Sequence, residues 1–267
     1  MDLIDSHAHV DFPQFDHDRR EVIERAHQTG LVALVNIGTN LSSSRASVEL
    51  AAAHDFAYAT VGIHPHDAEQ ATPQAIDELR CLARHDKVVA VGEIGLDYYR
   101  DYSPRPAQRS AFQEQLDLAL ELELPVVIHS RDAHDDTLSI LEDWKGAGVL
   151  HTYAAGLSHL ERVIEMGFFI GISGPVTYGS AEGLRDVVRA APLDRLLVET
   201  DCPYLTPEPH RGKRNEPAYV RFVAQAIAEA RSESVERIAH HTTQNACRLF
   251  GLPVIDAPRQ LPSQDGV

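Results

Sequence analysis

The sequence is poor in the residues that staple, anchor or coat a protein. Among 267 residues there are three cysteines, two methionines and one tryptophan. Cys81, Cys202 and Cys247 are odd in number and far apart, without CxxC spacing, which argues against a disulfide framework and a structural zinc knot. No run approaches the roughly 18 apolar residues of a membrane span. The opening MDLIDSHAHVD has neither the basic nor the apolar stretch of a signal peptide, so a cytoplasmic protein with no membrane partner is expected. Basic residues are outnumbered, leaving a formal net charge of −16. Such a surface repels polyanions at long range and disfavours a non-specific nucleic-acid coat. A polyanionic substrate would have to be met by local cations or metal ions.

What is present is an ordinary globular composition, 43% hydrophobic, with regular punctuation. Eight short apolar, β-branched runs recur: Leu3 to Asp5, Leu31 to Ile37, Ala57 to Ile63, Val88 to Ile94, Pro125 to His129, Val149 to His151, Phe168 to Ile172 and Leu196 to Glu199. Segments with helical spacing separate them. The clearest is Gln108 to Leu122, where Phe112, Leu116, Ala119, Leu120 and Leu122 define an apolar face. Buried strands alternating with helices predict a parallel sheet covered on both sides, and eight such units predict a single closed (β/α)8 TIM barrel of the α/β class. An open doubly wound sheet is the alternative, weakened because neither GxGxxG nor a P-loop follows the first strand. The barrel is expected to occupy residues 1–252, its outer ring closed by helices around Ala218 to Ala230 and Val235 to Phe250. A loosely ordered tail is expected over 253–267.

Histidine is abundant, with fifteen copies, several of them at strand ends. His7 and His9 stand two apart on the first strand and so project to one side. Glu93, His129, His151 and Asp201 end or follow the fourth, fifth, sixth and eighth strands. In a TIM barrel the C-terminal ends of the strands form the active-site face, so these six side chains converge on one cavity at that mouth. A ligating or charged residue at the end of a buried run is costly alone, and six that share a partner point to divalent metal. Four histidines and two carboxylates exceed the need of one tetrahedral ion, so two ions are expected, Mg or Mn ahead of Zn. Two ions about 3.5–4 Å apart clamp a phosphate and activate a shared water, which is hydrolase chemistry.

Four segments then carry a family resemblance: Leu3 to Asp11 (LIDSHAHVD), Gly92 to Asp97 (GEIGLD), Pro125 to Ala133 (PVVIHSRDA) and Glu199 to Leu205 (ETDCPYL). Gly62 to His66 (GIHPH) and Arg211 to Pro217 (RGKRNEP) add two loops. From Leu3 to about Leu252 the chain resembles the TatD family of metal-dependent deoxyribonucleases, among the amidohydrolase-like barrels. The resemblance implies that His7, His9, Glu93 and Asp201 hold one ion, that Glu93, His129 and His151 hold the second, and that Glu93 bridges them. It also implies cleavage of single-stranded DNA from its 3′ end, with RNA as a further substrate. In this picture Glu93 and Asp201 are catalytic, Asp201 orienting the attacking water and taking its proton. The turn His151-Thr152-Tyr153-Ala154-Ala155-Gly156 departs from the family's usual His-Cys/Ser-Phe-Ser-Gly.

Phosphate contacts are expected from Pro209 to Asn215 (PHRGKRN), where Arg211, Lys213 and Arg214 stand without an acid. Asn215 in that loop is either a substrate contact or the cap of the next helix. Arg131 is a second candidate, against a salt bridge to Asp132 or Asp135. His64, and less so His66, would touch the phosphate or the leaving oxygen. Tyr98, Tyr99 and Arg100 either stack on unpaired bases or form an ordinary rim. Cys202 beside Asp201 reads as a small buried residue. Two other functions fit the sequence: an amidohydrolase or aminoacyl-tRNA deacylase using the same metal site, and a non-catalytic binding partner in a repair or quality-control assembly. A monomer is expected.

Overall fold

Each of the eight apolar runs forms a strand, and the strands pair side by side in chain order as one parallel sheet. They are β1 (Leu3–Ala8), β2 (Leu31–Asn36), β3 (Ala57–Val61), β4 (Val88–Asp97), β5 (Val126–Arg131), β6 (Gly148–Leu150), β7 (Phe169–Ile172) and β8 (Leu196–Val198). Helices α1 (Arg19–Gln28), α2 (Leu41–Ala53), α3 (Pro73–Leu82), α4 (Arg105–Glu121), α5 (His134–Leu141), α6 (Leu157–Glu165) and α7 (Glu182–Ala190) fill the crossovers. After β8 come α8 (Val220–Arg231) and α9 (Val235–Phe250). This is the TIM barrel expected from the alternation of strand and helix. The computed structural model describes residues 1–253, and the expected tail, from 254 onward, lies outside the described residues. No helix among the described residues is long and apolar enough to cross a membrane.

The last strand meets the first through the backbone. The Asp201 N–H donates to the His7 carbonyl and the His9 N–H to the Cys202 carbonyl, both at 2.9 Å, and the Ser6 hydroxyl donates to the Val198 carbonyl at 3.0 Å. The barrel interior is an apolar cluster that includes Ile4, Val35, Val89, Val127, Val149, Phe169 and Leu197, and Leu249, Phe250 and Leu252 at the end of α9 pack with it. Because a strand alternates its faces, the residues two further along β5, β6 and β8 share that inward direction. Those residues are His129, His151 and Glu199. The apolar floor and the polar mouth are thus successive layers of one alternation.

α4 departs from its expected apolar face. Phe112, Leu116 and Ala119 are buried as predicted, but Leu120 is 45% exposed. The buried face is rotated toward two glutamines that simple hydropathy assigns to solvent. Gln115, fully buried, accepts the Ile63 N–H at 2.7 Å and donates to the Ile63 carbonyl at 3.0 Å. Gln108 does the same for Asp97, accepting its N–H at 2.9 Å and donating to its carbonyl at 3.2 Å. Each primary amide thus satisfies the backbone at the point where a strand leaves the sheet, just before His64 and just after Glu93. Beside them, Gly95 at φ +135° has no room for a side chain, since a Cβ there would sit 2.1 Å from the His129 carbonyl oxygen.

Replacing Gln115 by Met keeps the volume and strips both partners from Ile63. We expect a loss of roughly 2–4 kcal/mol, from two buried backbone groups left unpaired. Urea unfolding measures it, and an unchanged midpoint would contradict the clamp.

Candidate metal centre

Glu93 lies inside β4 rather than after it, because the strand runs on to Asp97. The residue is 3% exposed, and its side chain sits among histidines from several strands. One carboxylate oxygen, Oε2, stands 3.5 Å from His7 Nε2 and 3.8 Å from His9 Nε2. The other, Oε1, stands 2.8 Å from His129 Nδ1, 2.9 Å from His151 Nε2 and 3.4 Å from His64 Nε2. His7 and His9 converge as their spacing on a strand requires, with their Nε2 atoms 3.2 Å apart. Asp201 closes the group, its Oδ1 lying 3.6 Å and 3.4 Å from the same two nitrogens.

Three overlapping sets are spaced to hold a metal ion: His7, His9 and Asp201; His7, Glu93 and His151; and His64, Glu93 and His129. All six ligands chosen from sequence fall in these sets, and His64, chosen for phosphate, stands among them. Imidazole nitrogens and carboxylate oxygens of this kind suit Zn, Mn or Mg. The two carboxylates of the site keep their charge despite burial. Burial works against ionising Glu93, but the charge of His151 and hydrogen bonds from His129 and His151 hold its carboxyl well below the usual range. Asp201 is likewise lowered, against burial, by its hydrogen bond with His9 and by His7. Burial pushes His64 down to about 4 despite the nearby Glu93 carboxylate, leaving a neutral imidazole with a lone pair to offer at neutral pH.

A second layer, which the sequence reading missed, holds these ligands. Asp97, 1% exposed, places Oδ2 2.8 Å from His66 Nε2 and 3.3 Å from His129 Nε2. Its Oδ1 accepts the N–H groups of Tyr99 at 3.0 Å and Arg100 at 2.8 Å, which pins the loop after β4. Asp5 joins β1 to the end of β8, accepting the Thr200 hydroxyl at 2.6 Å and the Thr200 N–H at 2.9 Å. Burial pushes the Asp5 carboxyl up to about 8, against the pull of the Thr200 bonds.

Glu199 is fully buried beneath His151. Its Oε1 accepts the Thr152 hydroxyl at 2.9 Å and lies 3.7 Å from His151 Nδ1. Its Oε2 fits only because residue 171 is glycine, since a Cβ there would sit 2.1 Å away. Oε2 and the Nδ1 atoms of His7 and His151 are buried without a hydrogen-bond partner. Carboxylates placed behind ligating imidazoles orient the ring and raise its basicity.

The substrate candidates separate into two kinds. Arg131 is exposed and lies 3.9 Å over the Tyr99 ring instead of pairing with Asp132 or Asp135. Arg211 is exposed, 4.2 Å over Tyr178 and 3.7 Å from Glu208. Arg214 is withdrawn from the basic loop, bound to Asp18 at 2.7 Å and to the Gln14 carbonyl at 2.7 Å. Asn215 is a correction to the sequence reading. It is fully buried, donating to the carbonyls of Thr200 at 2.9 Å and Tyr204 at 2.6 Å and accepting the Glu216 N–H at 2.9 Å. With every amide atom engaged, it braces the loop that follows Asp201 and has nothing left for a substrate. Cys202 is buried, as expected.

The geometry behind His151 is open to test with Glu199→Gln, which keeps an acceptor for Thr152. We expect divalent-metal affinity to fall about 10- to 100-fold. The metal-free protein should melt no lower than wild type, because an unpartnered buried carboxylate oxygen has been removed. Chelator competition and calorimetry read the two quantities, and wild-type metal affinity would remove Glu199 from the second layer.

Comparison with known proteins follows the same outline. A family model described as TatD related DNase matches residues 4–251. A Bacillus subtilis protein named uncharacterized metal-dependent hydrolase YabD is 43% identical over 252 residues, covering 93% of this chain and 98% of the relative. The 3′-5′ ssDNA/RNA exonuclease TatD of Klebsiella pneumoniae is 37% identical over 262 residues, covering 94% and 99%. Among solved structures, the TatD homolog YjjV of Escherichia coli superposes with a TM-score of 0.89 at 34% identity, covering 94% and 98%. A barrel whose mouth gathers histidines and carboxylates, matched over nearly its whole length by these proteins, belongs to the TatD family of metal-dependent hydrolases.

Proposed function

We propose that the chain is a two-metal phosphodiesterase that removes nucleotides from the 3′ end of single-stranded DNA. The observation that carries this reading is Glu93. A single buried carboxylate presents one oxygen to His7 and His9 and the other to His129, His151 and His64. An acidic bridge between two sets of donors is the arrangement that holds two cations side by side. The Klebsiella relative's name, a 3′-5′ exonuclease on single-stranded DNA and RNA, supports the substrate class.

Divalent ions held there would supply Lewis-acid charge to the phosphate oxygens and make a bound water acidic. The protein does the rest. Asp201 reaches the mouth with its side chain 14% exposed, placed to orient the attacking water and accept its proton. Arg131 and Arg211 present exposed guanidinium groups to a phosphodiester. Asp97 holds His129 from behind, so its imidazole does not have to be ordered during turnover.

Metal-stripped protein, given Mg, Mn or Zn in turn with end-labelled single-stranded and duplex DNA and RNA, should shorten single strands from the 3′ end only when metal is restored. The His129→Ala variant should lose at least a hundredfold in rate, the scale on which transition-state charge stabilisation is lost. Metal-independent products, or full activity in His129→Ala, would overturn the mechanism. Charge reversal at Arg211 and Lys213 together should raise KM for oligonucleotides and flatten its dependence on salt, as expected when phosphate contacts are removed. An unchanged KM would take the loop out of substrate binding.

A further inference from the structure

Among the described residues, six large hydrophobic side chains are exposed: Met1, Tyr99, Tyr102, Leu120, Leu157 and Tyr204. The three tyrosines all stand on loops leaving the C-terminal ends of β4 and β8, at the mouth that holds the metal centre. Scattered surface apolar residues need no explanation, but aromatic side chains confined to one rim do.

Both groups are wired to the metal-site histidines by ring contacts. On the β4 side, Tyr102 lies 4.7 Å from His66, His66 4.2 Å from His64, and His64 4.6 Å from His129, between ring centroids. On the β8 side, Tyr204 lies 6.5 Å from Phe12, and Phe12 is stacked 4.5 Å from His9. The two runs of rings reach the centre from opposite sides, one through a ligand candidate on β5 and the other through one beside β1. Cations accompany each. Arg131 covers a face of Tyr99 at 3.9 Å, and Tyr204 shares its loop with Arg211 and Lys213. On a chain of net charge −16 these are the places where a polyanion gains rather than loses by approaching.

We infer that the mouth carries two base-stacking steps, Tyr99 with Tyr102 on one side and Phe12 with Tyr204 on the other, which receive the bases flanking the scissile phosphate. This rests on the nuclease reading above. A substrate with one small reactive group would fill the metal pocket and leave both steps bare. A polynucleotide offers a flat ring on each side of every phosphodiester, and each ring has a π face whatever its sequence. The bases of a duplex are stacked on one another and cannot be splayed to both steps without unpairing. The steps therefore select unpaired strands, and they do so with little sequence preference.

The test couples the protein side to the nucleic-acid side. Oligothymidylate and the same strand with a tetrahydrofuran abasic residue on either side of the terminal phosphodiester are bound to metal-stripped protein, followed by fluorescence anisotropy. They are then cleaved with Mn restored. Tyr204→Ala, and Tyr99→Ala combined with Tyr102→Ala, should each weaken binding and raise KM on intact strands about 10- to 100-fold, the range of one lost stacking contact. On the strand whose matching base is missing, the same variants should change neither quantity. Tyr204→Phe should behave as wild type, because it keeps the ring. Equal losses on intact and abasic strands, or no loss on either, would overturn the stacking steps. If wild-type protein with Mn cleaves none of the strands, the nuclease reading fails. If it cleaves them without this coupling, the nuclease reading stands and the steps fall.

Discussion

A carboxylate buried at the centre of a barrel is the constraint from which the rest of this architecture follows. Taking an ion of that size out of water costs several kcal/mol even after relaxation, and only closely placed partners offset it. Glu93 obtains those partners from four other segments of chain, since His7 and His9 come with β1, His64 from the turn after β3, His129 from β5 and His151 from the end of β6. Their convergence requires the strands to stop at matching heights. Gln108 and Gln115 fix two of those heights by pairing with the backbone where β3 and β4 leave the sheet. Gly95 permits the approach of β4 to β5 next to His129. The rigidity of the site is therefore a property of the surrounding helices as much as of the strands.

Much of the fold and the first ring of the site was legible in the sequence because both rest on short-range periodicity. Strands have period two, so His7 and His9 had to face one way, and a histidine or acid closing an apolar run had to arrive at the mouth. The same arithmetic extended to Glu199, two positions beyond Leu197, yet it was passed over beside the more prominent Asp201. What could not be read were residues defined by a partner far along the chain. Gln115 looks like a solvated helix residue until Ile63 is seen beneath it. Asn215 looks like part of a basic loop, and its burial depends on the carbonyls of Thr200 and Tyr204. Arg214 contributes to the same basic run on paper and is neutralised by Asp18 from the other end of the sequence.

The acidic surface and the proposed phosphate contacts are consistent once position replaces composition. Two of the acids, Glu93 and Asp201, face the histidines of the metal centre and attract cations instead of repelling phosphate. Asp5, Asp97 and Glu199 are buried behind them, out of reach of solvent. At the rim, arginine lies on tyrosine, as Arg131 does on Tyr99 and Arg211 on Tyr178. A guanidinium resting over a ring has less freedom left to lose if it binds a phosphate.

The barrel is closed by bonds between residues 7–9 and 201–202, and these same residues supply the set His7, His9 and Asp201. Circumference and chemistry are sealed by one seam. A nascent chain carries its two histidines from the outset but has no counterpart for them until some two hundred residues have been made and the eighth strand has docked against the first. No partially assembled or opened barrel can therefore complete that set, and a cation held there would report that the ring is whole.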